Sequence, residues 1–418
     1  MRITLYAIGT RGDVQPMLAL ANGLRAAGHE LTFVAGSNFE PYVTAHDMHF
    51  RPSLDIQALM QSPKGIAWVE EKSPLRQLGH MRHLLNLHAE EMIDSLVAPA
   101  QDADLLIGGF VSEPFVISLG ERFHKPVITA ALQPYRPTRS AAASLIAPVR
   151  LDGPHNRWFG LLGQRMLWRV AADTVQQLRA RLGMPPQSRT DAIARQNATP
   201  VVFGFSPSVT PQPSDWPDTL RVAGYWFLDE DPDWKPPAAL DQFLATGPAP
   251  VYVGFGSMTG SDPAQTFEII HRALKASGQR GVISTGWSGA DADAASDSDA
   301  FVLEGAPHGW LFPRMAAVVH HGGAGTTAAG LRAGKPTLII PHLGDQPYWG
   351  RRVHDLGVGA KPRVRHTLPE SALASGIRQI TSDSSMQAKA EALGARIRGE
   401  DGVGVAVSLI EEWARRLL

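Results

Sequence analysis

The sequence predicts an α/β protein built of two doubly wound domains, one in each half of the chain. Short apolar strands alternate with amphipathic helices in both halves, and a glycine-containing turn follows the leading strand of each series. A strand–helix–strand order of this kind produces a parallel sheet with helices on both faces. The length of 418 residues exceeds what one ordinary hydrophobic core holds, so two domains are expected.

The first half begins with an apolar run at 3–8 that ends in the turn GTRGD. A helix follows with apolar residues at helical spacing, and Gly28 is placed to cap its C-terminus. The next strand is expected at 31–35. Further strands are expected at 104–107 and 126–131, so the N-terminal domain is assigned to 1–205.

The segment 206–237 is rich in proline and aspartate, which is typical of an interdomain linker. A second series then starts with a strand at 251–255, a helix at 263–277 and strands at 282–284 and 301–303. This domain is assigned to 238–400. The final stretch, 401–418, carries an amphipathic helix.

The composition excludes several classes of protein. Lysine and arginine together number 39 and aspartate and glutamate 40, for a net charge of −1, which argues against a nucleic-acid partner. The chain has no cysteine, so disulfides and cysteine-ligated metals are excluded and a cytoplasmic location is expected. The N-terminus lacks a signal-peptide pattern and no apolar run is long enough to span a membrane. A peripheral membrane contact stays open.

A metal site is not expected either. Acidic pairs spaced by one residue do occur, but most lie in linker or low-complexity segments typical of solvated loops. These pairs are Asp102/Asp104, Asp229/Asp231, Asp231/Asp233, Asp291/Asp293 and Asp297/Asp299.

Two stretches of the first half exceed a minimal sheet-and-helix unit. Residues 54–97 and 134–170 are rich in methionine, leucine and tryptophan. They are interpreted either as core helices or as the wall of a pocket for a hydrophobic substrate, since methionine and flat aromatic rings suit such pockets.

The segment 318–359 is the most informative one. A buried strand runs into a glycine-rich turn with His321, Gly323 and Gly325, and the turn opens a helix. Free backbone N–H groups and the helix dipole make such a turn an anion site. The loop after the next strand offers Asp345 and Gln346, which suit hydroxyl groups. An anion site beside a hydroxyl site is what a nucleotide sugar requires.

With these residues in view, the chain resembles the inverting nucleotide-sugar glycosyltransferases of the antibiotic and sterol type. Two blocks carry the resemblance, IGTRGDVQPMLALANGLRAAGH at 8–29 and the long block at 305–359; GYWFLD at 224–229 and VGFGSM at 253–258 also match. The resemblance implies the GT-B arrangement, in which two Rossmann-like domains face each other across a cleft. It also implies an N-terminal acceptor domain, a C-terminal donor domain and a final helix that packs back on the N-terminal domain.

The resemblance assigns the catalytic step to Asp13, as the general base that takes the proton of the acceptor hydroxyl. From spacing alone, Asp13 is equally an N-cap of a helix starting near Val14. Arg11 would reach the diphosphate of the donor, with a solvated surface arginine as the alternative. Thr10 would contact the sugar.

The remaining donor residues also follow from the resemblance. His321 would bind the diphosphate together with Ser257, Gly323, Gly325 and Thr326, with Thr327 as a further candidate, whereas His320 would be structural. Asp345 and Gln346 would bind the sugar, and Trp349 would either cover the sugar or simply pack. Trp287 and His308 would lie at the nucleobase. The chain departs from plant-type relatives at Gly305 and Ala329, so the choice between UDP and TDP stays open.

The expected protein is therefore an inverting glycosyltransferase that needs neither a metal nor another cofactor. It would move a sugar, glucose most simply, from a UDP- or TDP-sugar to a hydroxyl of a lipophilic acceptor such as a sterol, polyketide, flavonoid or antibiotic aglycone. Two alternatives are a nucleotide-sugar epimerase and a non-catalytic nucleotide-sugar-binding partner protein.

Overall fold

The computed structural model describes residues 1–228, 234–255, 263–284, 299–363 and 369–418. Contacts divide the chain into two units, each with its own sheet. Unit 1 comprises Met1–Leu228 together with Glu400–Leu418, and unit 2 comprises Asp229–Gly399.

Unit 1 is built around a seven-stranded parallel sheet. Its strands are β1 (Arg2–Tyr6), β2 (Glu30–Gly36), β3 (His49–Ser53), β4 (Leu105–Gly108), β5 (Val127–Ala131), β6 (Val201–Phe203) and β7 (Leu220–Val222). The spatial order is β3-β2-β1-β4-β5-β6-β7. In register, Ile3 of β1 lies opposite Leu31 on one side and Leu105 on the other.

The helices of unit 1 cover both faces of that sheet. They are α1 (Arg11–Ala26), α2 (Glu40–Thr44), α3 (Ile56–Gln61), α4 (Pro63–Glu70), α5 (Pro74–Leu87), α6 (Ala89–Asp102), α7 (Glu113–Phe123), α8 (Pro154–Arg181) and α9 (Arg189–Ala198). The central strands are buried on both sides, which explains why β1 and β4 read as nearly continuous apolar runs. Helix α1 ends before Gly28, which takes the positive φ of 88° that glycine adopts at low cost.

Unit 2 has a five-stranded parallel sheet. Its strands are β8 (Val251–Gly254), β9 (Gly281–Ser284), β10 (Ala300–Leu303), β11 (Ala317–His320) and β12 (Thr337–Ile339), in the order β10-β9-β8-β11-β12. Its helices are α10 (Ala238–Ala245), α11 (Pro263–Ser277), α12 (His308–Leu311), α13 (Ala324–Arg332), α14 (Gln346–Asp355), α15 (Glu370–Ser382) and α16 (Ser384–Arg398).

The last helix, α17 (Gly402–Leu417), returns to unit 1 and packs on α1. Gly23 of α1 makes this close approach possible, because a Cβ there would lie 2.4 Å from Cγ1 of Val403. An ion pair between His29 Nε2 and Glu411 Oε1, 3.1 Å apart, lies at the same contact. Trp413 of α17 is buried.

The prediction of two doubly wound α/β domains is confirmed in each unit. The predicted strands and the helix at 263–277 are present, with ends displaced by no more than two residues. The linker prediction for 206–237 was wrong in part, because that segment contains β7, the edge strand of the first sheet. Strands β3 and β6 were also missed. Strands β6 and β7 have only three residues each, and β3 and β7 carry exposed polar residues, so none shows a strong apolar pattern.

Candidate active site

The order of strands places one loop of unit 1 at a position where ligands bind. In the first sheet the strand order reverses between β1 and β4, and the segment from Ala7 to Thr10 leaves the carboxyl end of β1 at that point. Crevices at such reversal points are the usual binding sites of open α/β sheets. The backbone N–H of Gly109, after β4, donates to the carbonyl of Tyr6 over 3.0 Å and ties the two strand ends together.

Asp13 lies in the first turn of α1, directly after this loop. Its Oδ2 accepts hydrogen bonds from the backbone N–H of Thr10 at 2.9 Å and from the Thr10 hydroxyl at 3.3 Å. The helix begins at Arg11 and its N-cap is Thr10. The alternative of Asp13 as an N-cap near Val14 was therefore wrong in position, although Asp13 does satisfy a free N–H of its own helix start.

Gly9 leaves the space that the carboxyl group of Asp13 occupies. A Cβ at Gly9 would lie 2.3 Å from Asp13 Oδ2 and 2.7 Å from its Cβ. Real atoms do not approach so closely, so any other residue at position 9 would displace the Asp13 side chain. Gly12 differs, since a Cβ there would meet only the Thr10 hydroxyl oxygen at 3.7 Å.

The environment of Asp13 changes its acidity. Asp13 is half-buried, and the burial of its carboxyl group raises its pKa. The two hydrogen bonds from Thr10 oppose that rise. A carboxylate with a raised pKa is a stronger base than an ordinary aspartate, while the Thr10 hydrogen bonds keep its orientation.

Arg11 is exposed and lies beside α2. Its Nε donates to Gln15 Oε1 at 3.3 Å, and its guanidinium lies 5.7 Å from the centre of the Tyr42 ring. The contact with a diphosphate stays a prediction. The ring and the amide hold the guanidinium close to the start of α1, on the same turn as Asp13.

In unit 2 the strand order reverses between β8 and β11, and His320 ends β11. Its imidazole is fully buried, and Nδ1 accepts a hydrogen bond from the N–H of Gly322 at 3.0 Å. The accepting nitrogen carries no proton, so the proton of neutral His320 sits on Nε2. This internal bond shapes the turn and agrees with a structural role.

The environment of the His321 ring differs from that of His320. It is half-buried, its buried Nδ1 has no partner among the described residues, and burial lowers its pKa to about 4. The ring is therefore neutral near pH 7 and can donate one N–H hydrogen bond. Gly322 has a positive φ of 96°, and a Cβ at Gly323 would come within 2.7 Å of His321 Nε2. Both glycines are needed for this turn.

The turn leads into α13, nine residues long, with Gly323 as its N-cap. Its first backbone N–H groups, including those of Gly325 and Thr326, have no partner within the helix and carry the positive end of its dipole. Thr327 is buried and its hydroxyl donates to the carbonyl of Gly323 at 2.8 Å. The Thr327 side chain thus stabilises the helix start, and its contact with the phosphates stays a prediction.

Asp345 and Gln346 meet at the start of α14, at the carboxyl end of β12. Gln346 is buried, and its Oε1 accepts from the N–H groups of His342 at 2.7 Å and Leu343 at 3.0 Å. Gln346 thus shapes the loop, and its side-chain NH₂ group can donate a hydrogen bond to a ligand. Trp349 is fully buried and its Nε1 donates to Asp345 Oδ2 at 2.7 Å. The alternative that Trp349 covers the sugar is therefore corrected to a role in orienting Asp345.

The remaining predicted donor residues are only partly placed. His308 begins α12 and stacks on Phe312, with ring centres 4.3 Å apart. Ser257 and Trp287 lie outside the described residues. Among the residues that the structure does describe, no three His, Asp or Glu side chains group as metal ligands would.

Unit 1 also contains a cavity of about 70 Å³ between α5, α7, α8 and α9. Its walls are mostly apolar and include Met81, Leu85, Phe110 and Trp168. An apolar cavity of about 150 Å³ accommodates one benzene molecule, so this smaller cavity holds at most the end of a small molecule. The apolar-pocket interpretation gains support, because 54–97 supplies Met81 and Leu85 and 134–170 supplies Leu167 and Trp168 to the wall.

A polar cluster that the sequence did not reveal lies at this cavity. Glu113, the first residue of α7, forms a buried ion pair with Arg136 at 2.7 Å and also accepts from Tyr135 at 2.6 Å and from Gln196. Gln187 lines the cavity, is 8% exposed, and its Nε2 has no described partner. One sequence feature could have indicated this cluster: Glu113 follows β4, which is the neighbour of β1 in the sheet.

Comparisons with known proteins agree with this geometry. Residues 3–133 match the glycosyltransferase family 28 N-terminal domain, and residues 299–401 match the erythromycin biosynthesis protein CIII-like C-terminal domain. A sterol 3-beta-glucosyltransferase of Aspergillus fumigatus is 38% identical over 425 aligned positions, which cover 98% of this chain and 30% of the relative. A sterol 3-beta-glucosyltransferase of Neurospora crassa is 36% identical, over 100% of this chain and 28% of the relative. The chain thus spans about 30% of the length of these relatives.

Solved structures share the fold over the whole chain. The glycotransferase of kitacinnamycin superposes with a TM-score of 0.71 at 18% identity, covering 98% of both chains. The glycosyltransferase VinC, solved in complex with dTDP, superposes with a TM-score of 0.67 at 18% identity, covering 100% of both chains.

Two parallel α/β units, with a carboxylate at one reversal point and a histidine–glycine turn at the other, give the chain the GT-B fold of these glycosyltransferases. The two ends of the chain thus match a glycosyltransferase N-terminal domain and a CIII-like C-terminal domain, and almost the whole chain is similar to sterol 3-beta-glucosyltransferases. No described helix is both long and apolar enough to cross a membrane.

Proposed function

We propose that the chain transfers a sugar, glucose most simply, from a UDP- or TDP-sugar to a hydroxyl group of a lipophilic, sterol-like acceptor, with inversion and without a metal. The observation that carries the proposal is the Asp13 carboxylate, held by Thr10 at the reversal point of the first sheet with a raised pKa. The names of the relatives support the glucosyl group and the sterol. The dTDP of VinC supports a nucleotide donor.

In the proposed step, the acceptor oxygen attacks the anomeric carbon from the side opposite the diphosphate. The carbon–oxygen bond to the diphosphate breaks as the new bond forms, and the acceptor proton passes to Asp13. A hydroxyl group is a very weak acid, so this proton transfers late, while the new bond forms. The raised pKa of Asp13 favours the transfer, because it makes the carboxylate a better proton acceptor.

The leaving nucleoside diphosphate needs stabilisation of its negative charge. The free N–H groups at the start of α13 and one N–H of neutral His321 supply preorganised donors, which is the most effective form of electrostatic catalysis. Arg11 is the proposed additional cation. The exact contribution of Ser257, Trp287 and His308 to the nucleotide stays a prediction of the sequence.

The sugar is proposed to bind Asp345 and the amide of Gln346. Asp345 Oδ2 accepts from Trp349, which orients the carboxylate, and a carboxylate is suited to accept hydrogen bonds from sugar hydroxyls. The lipophilic acceptor is proposed to place one end in the cavity of unit 1. The apolar wall around Met81 and Trp168 suits a hydrocarbon framework.

We also propose a cytoplasmic location, which the absence of cysteine favours.

The test compares wild type with Asp13→Asn, which keeps the shape of the side chain but removes the base. Transfer of glucose from UDP- or TDP-glucose to a 3β-hydroxysterol in detergent is measured by mass spectrometry of the product. We expect the variant to lose about 10²–10⁴-fold in kcat, the usual contribution of a general base. Full activity in Asp13→Asn would contradict the mechanism.

Donor binding is measured separately by a thermal-shift titration with UDP, TDP, GDP and ADP. A ligand at a hundredfold excess over its dissociation constant adds about 2.7 kcal/mol to the free energy of unfolding. Asp13→Asn should respond to UDP or TDP as wild type does, whereas His321→Ala should not. Incubation with donor alone tests the epimerase alternative, which predicts a new nucleotide sugar without any acceptor.

A further inference from the structure

Unit 1 exposes a group of large apolar side chains in one short stretch. Among the described residues, large apolar side chains are exposed at few positions, and five of them lie between 146 and 162. They are Ile146 (48% exposed), Val149 (47%), Leu151 (69%), Trp158 (58%) and Leu162 (37%). Isolated exposed apolar residues need no explanation, but a cluster of this kind marks an interaction site.

These side chains belong to one built surface. Trp158 and Leu162 are one turn apart in α8 and share a face of that helix. The loop before α8 is held against it, because Asn156 Nδ2 donates to the carbonyl of Leu151 at 2.9 Å and to that of Arg139 at 3.0 Å. Ile146 Cδ1 lies 3.7 Å from where a Cβ on Gly163 would be, so the loop approaches α8 next to Leu162.

The same stretch is strongly basic. Between 139 and 169 the chain has one acidic residue, Asp152, and five arginines at 139, 150, 157, 165 and 169. The Oδ1 of Asp152 accepts from the N–H of Ala141 at 2.8 Å, so that carboxylate already serves the loop. Arg157, Arg165 and Arg169 are exposed and form no ion pair with any residue that the structure describes.

We propose that this surface, formed by residues 139–169 and called the lipid-facing surface below, docks unit 1 onto an anionic lipid bilayer. Tryptophan and leucine side chains favour the interface between headgroups and acyl chains, and arginines beside them attract anionic headgroups. An anionic bilayer can therefore bind the apolar side chains and the arginines of this surface at the same time. A symmetric second copy would bring arginines against arginines, which disfavours dimerisation through this face.

The location of this surface suits the chemistry of unit 1 without depending on it. Helix α8 exposes Trp158 and Leu162 in its first turns and lines the cavity with Leu167 and Trp168 further along. A lipophilic molecule dissolved in a bilayer would thus meet the helix that also forms the cavity wall. Vesicle binding needs neither donor nor acceptor, so its failure and the failure of the proposed transferase function are separate outcomes.

The experiment is sedimentation of the protein with sucrose-loaded vesicles of phosphatidylcholine and phosphatidylglycerol in a 7:3 ratio, compared with pure phosphatidylcholine. We expect binding to the anionic vesicles that weakens as salt rises. The double variant Leu151→Ser/Trp158→Ser should reduce the partition coefficient about tenfold or more, because it removes the two most exposed apolar side chains of the lipid-facing surface. Arg157→Glu should reduce it about fivefold or more.

The chain offers matched controls. Val405 is 45% exposed, close to the 47% of Val149, and lies in α17, which packs on α1, so Val405→Ser should bind vesicles as wild type does. Arg189, an exposed arginine at the start of α9, provides the corresponding control Arg189→Glu. Thermal unfolding of every variant verifies that the surface substitutions leave the fold intact.

A second readout uses the absence of cysteine, which makes a single introduced thiol specific for labelling. An environment-sensitive fluorophore on Val149→Cys should shift to the blue with anionic vesicles, and the same fluorophore on Val405→Cys in α17 should not. Three results would each overturn the proposal: equal responses at both positions, no sedimentation with anionic vesicles, or protection of the thiol in Val149→Cys by dimerisation in vesicle-free solution.

Discussion

The carboxylate of Asp13 accepts a hydrogen bond from the backbone N–H of Thr10 over 2.9 Å, so the candidate general base also stabilises the start of its own helix. Capping and catalysis are usually treated as alternative explanations for an aspartate in a strand–helix turn. Here one side chain fits both, since Oδ2 faces Thr10 and the group as a whole has a raised pKa. The cap fixes the orientation in which the base acts.

Gly9→Ala should abolish most transfer while the protein stays folded. The new Cβ would overlap the Asp13 carboxyl group, whose Oδ2 lies 2.3 Å from that position, so the side chain must turn away. We expect kcat to fall about a hundredfold, as for loss of a positioned general base. Steady-state kinetics measure this. Gly12→Ala is the control, since its Cβ meets only Thr10 Oγ1 at 3.7 Å and should leave the rate within about twofold.

Thr10→Val should shift the acidic limb of the pH–rate profile to higher pH. Asp13 must be ionised to accept a proton, so activity falls as the pH drops through its pKa. The Thr10 hydroxyl lowers that pKa, and its loss therefore raises it further. Profiles of kcat/KM against pH for wild type, Thr10→Val and Thr10→Ser measure the effect. An unshifted limb in the valine variant, or an equal shift in the serine variant, would contradict the hydrogen-bond explanation.

Trp349→Phe should weaken donor binding more than it slows the chemical step. The substitution removes the 2.7 Å hydrogen bond that orients Asp345 and leaves a small void in the core of unit 2. We expect a severalfold rise in the donor KM and a loss of about 1–3 kcal/mol in the free energy of unfolding. Trp413→Phe is a matched control, because it trims a buried tryptophan of unit 1 and should lower stability without changing the donor KM.

Acid should destabilise unit 2 through the histidine pair at the end of β11. Burial lowers the pKa of His321 to about 4 and that of His320 well below its ordinary value. The unfolded chain, with histidine near its usual 6.5, then binds more protons, so stability falls as the pH drops from about 6.5 to about 4. His321 alone contributes at most about 3 kcal/mol to this loss.

Urea unfolding of wild type and His321→Phe at pH 7 and pH 5 measures this dependence. The phenylalanine variant should lose less stability between the two pH values than wild type does. His354→Phe, in the last turn of α14, should retain the wild-type difference. An identical pH dependence in His321→Phe and wild type would show that His321 is not a buried neutral group.

Much of the site could be predicted from local sequence. The turns GTRGD and HHGGAG follow apolar strands and open helices, and a glycine pattern of this kind has few structural explanations. The prediction of Asp345 and Gln346 as neighbours in the loop after a strand rested on the same kind of local order, and the structure places them at the start of α14. The strand pattern failed at β3, β6 and β7, because short or partly exposed strands carry little periodicity.

The chain sequence by itself determined the class of fold, the central strands and helices of both sheets, and the residue types at both turns. These depend on local periodicity and on backbone conformations that only glycine adopts readily. The tertiary structure alone decided which groups are buried and what they contact. Trp349 is buried and donates a hydrogen bond to Asp345, Glu113 forms a buried ion pair with Arg136, and Trp158 is exposed. The physical reason is that a helical period defines a face, whereas covering that face or leaving it to solvent depends on elements that are distant in the sequence.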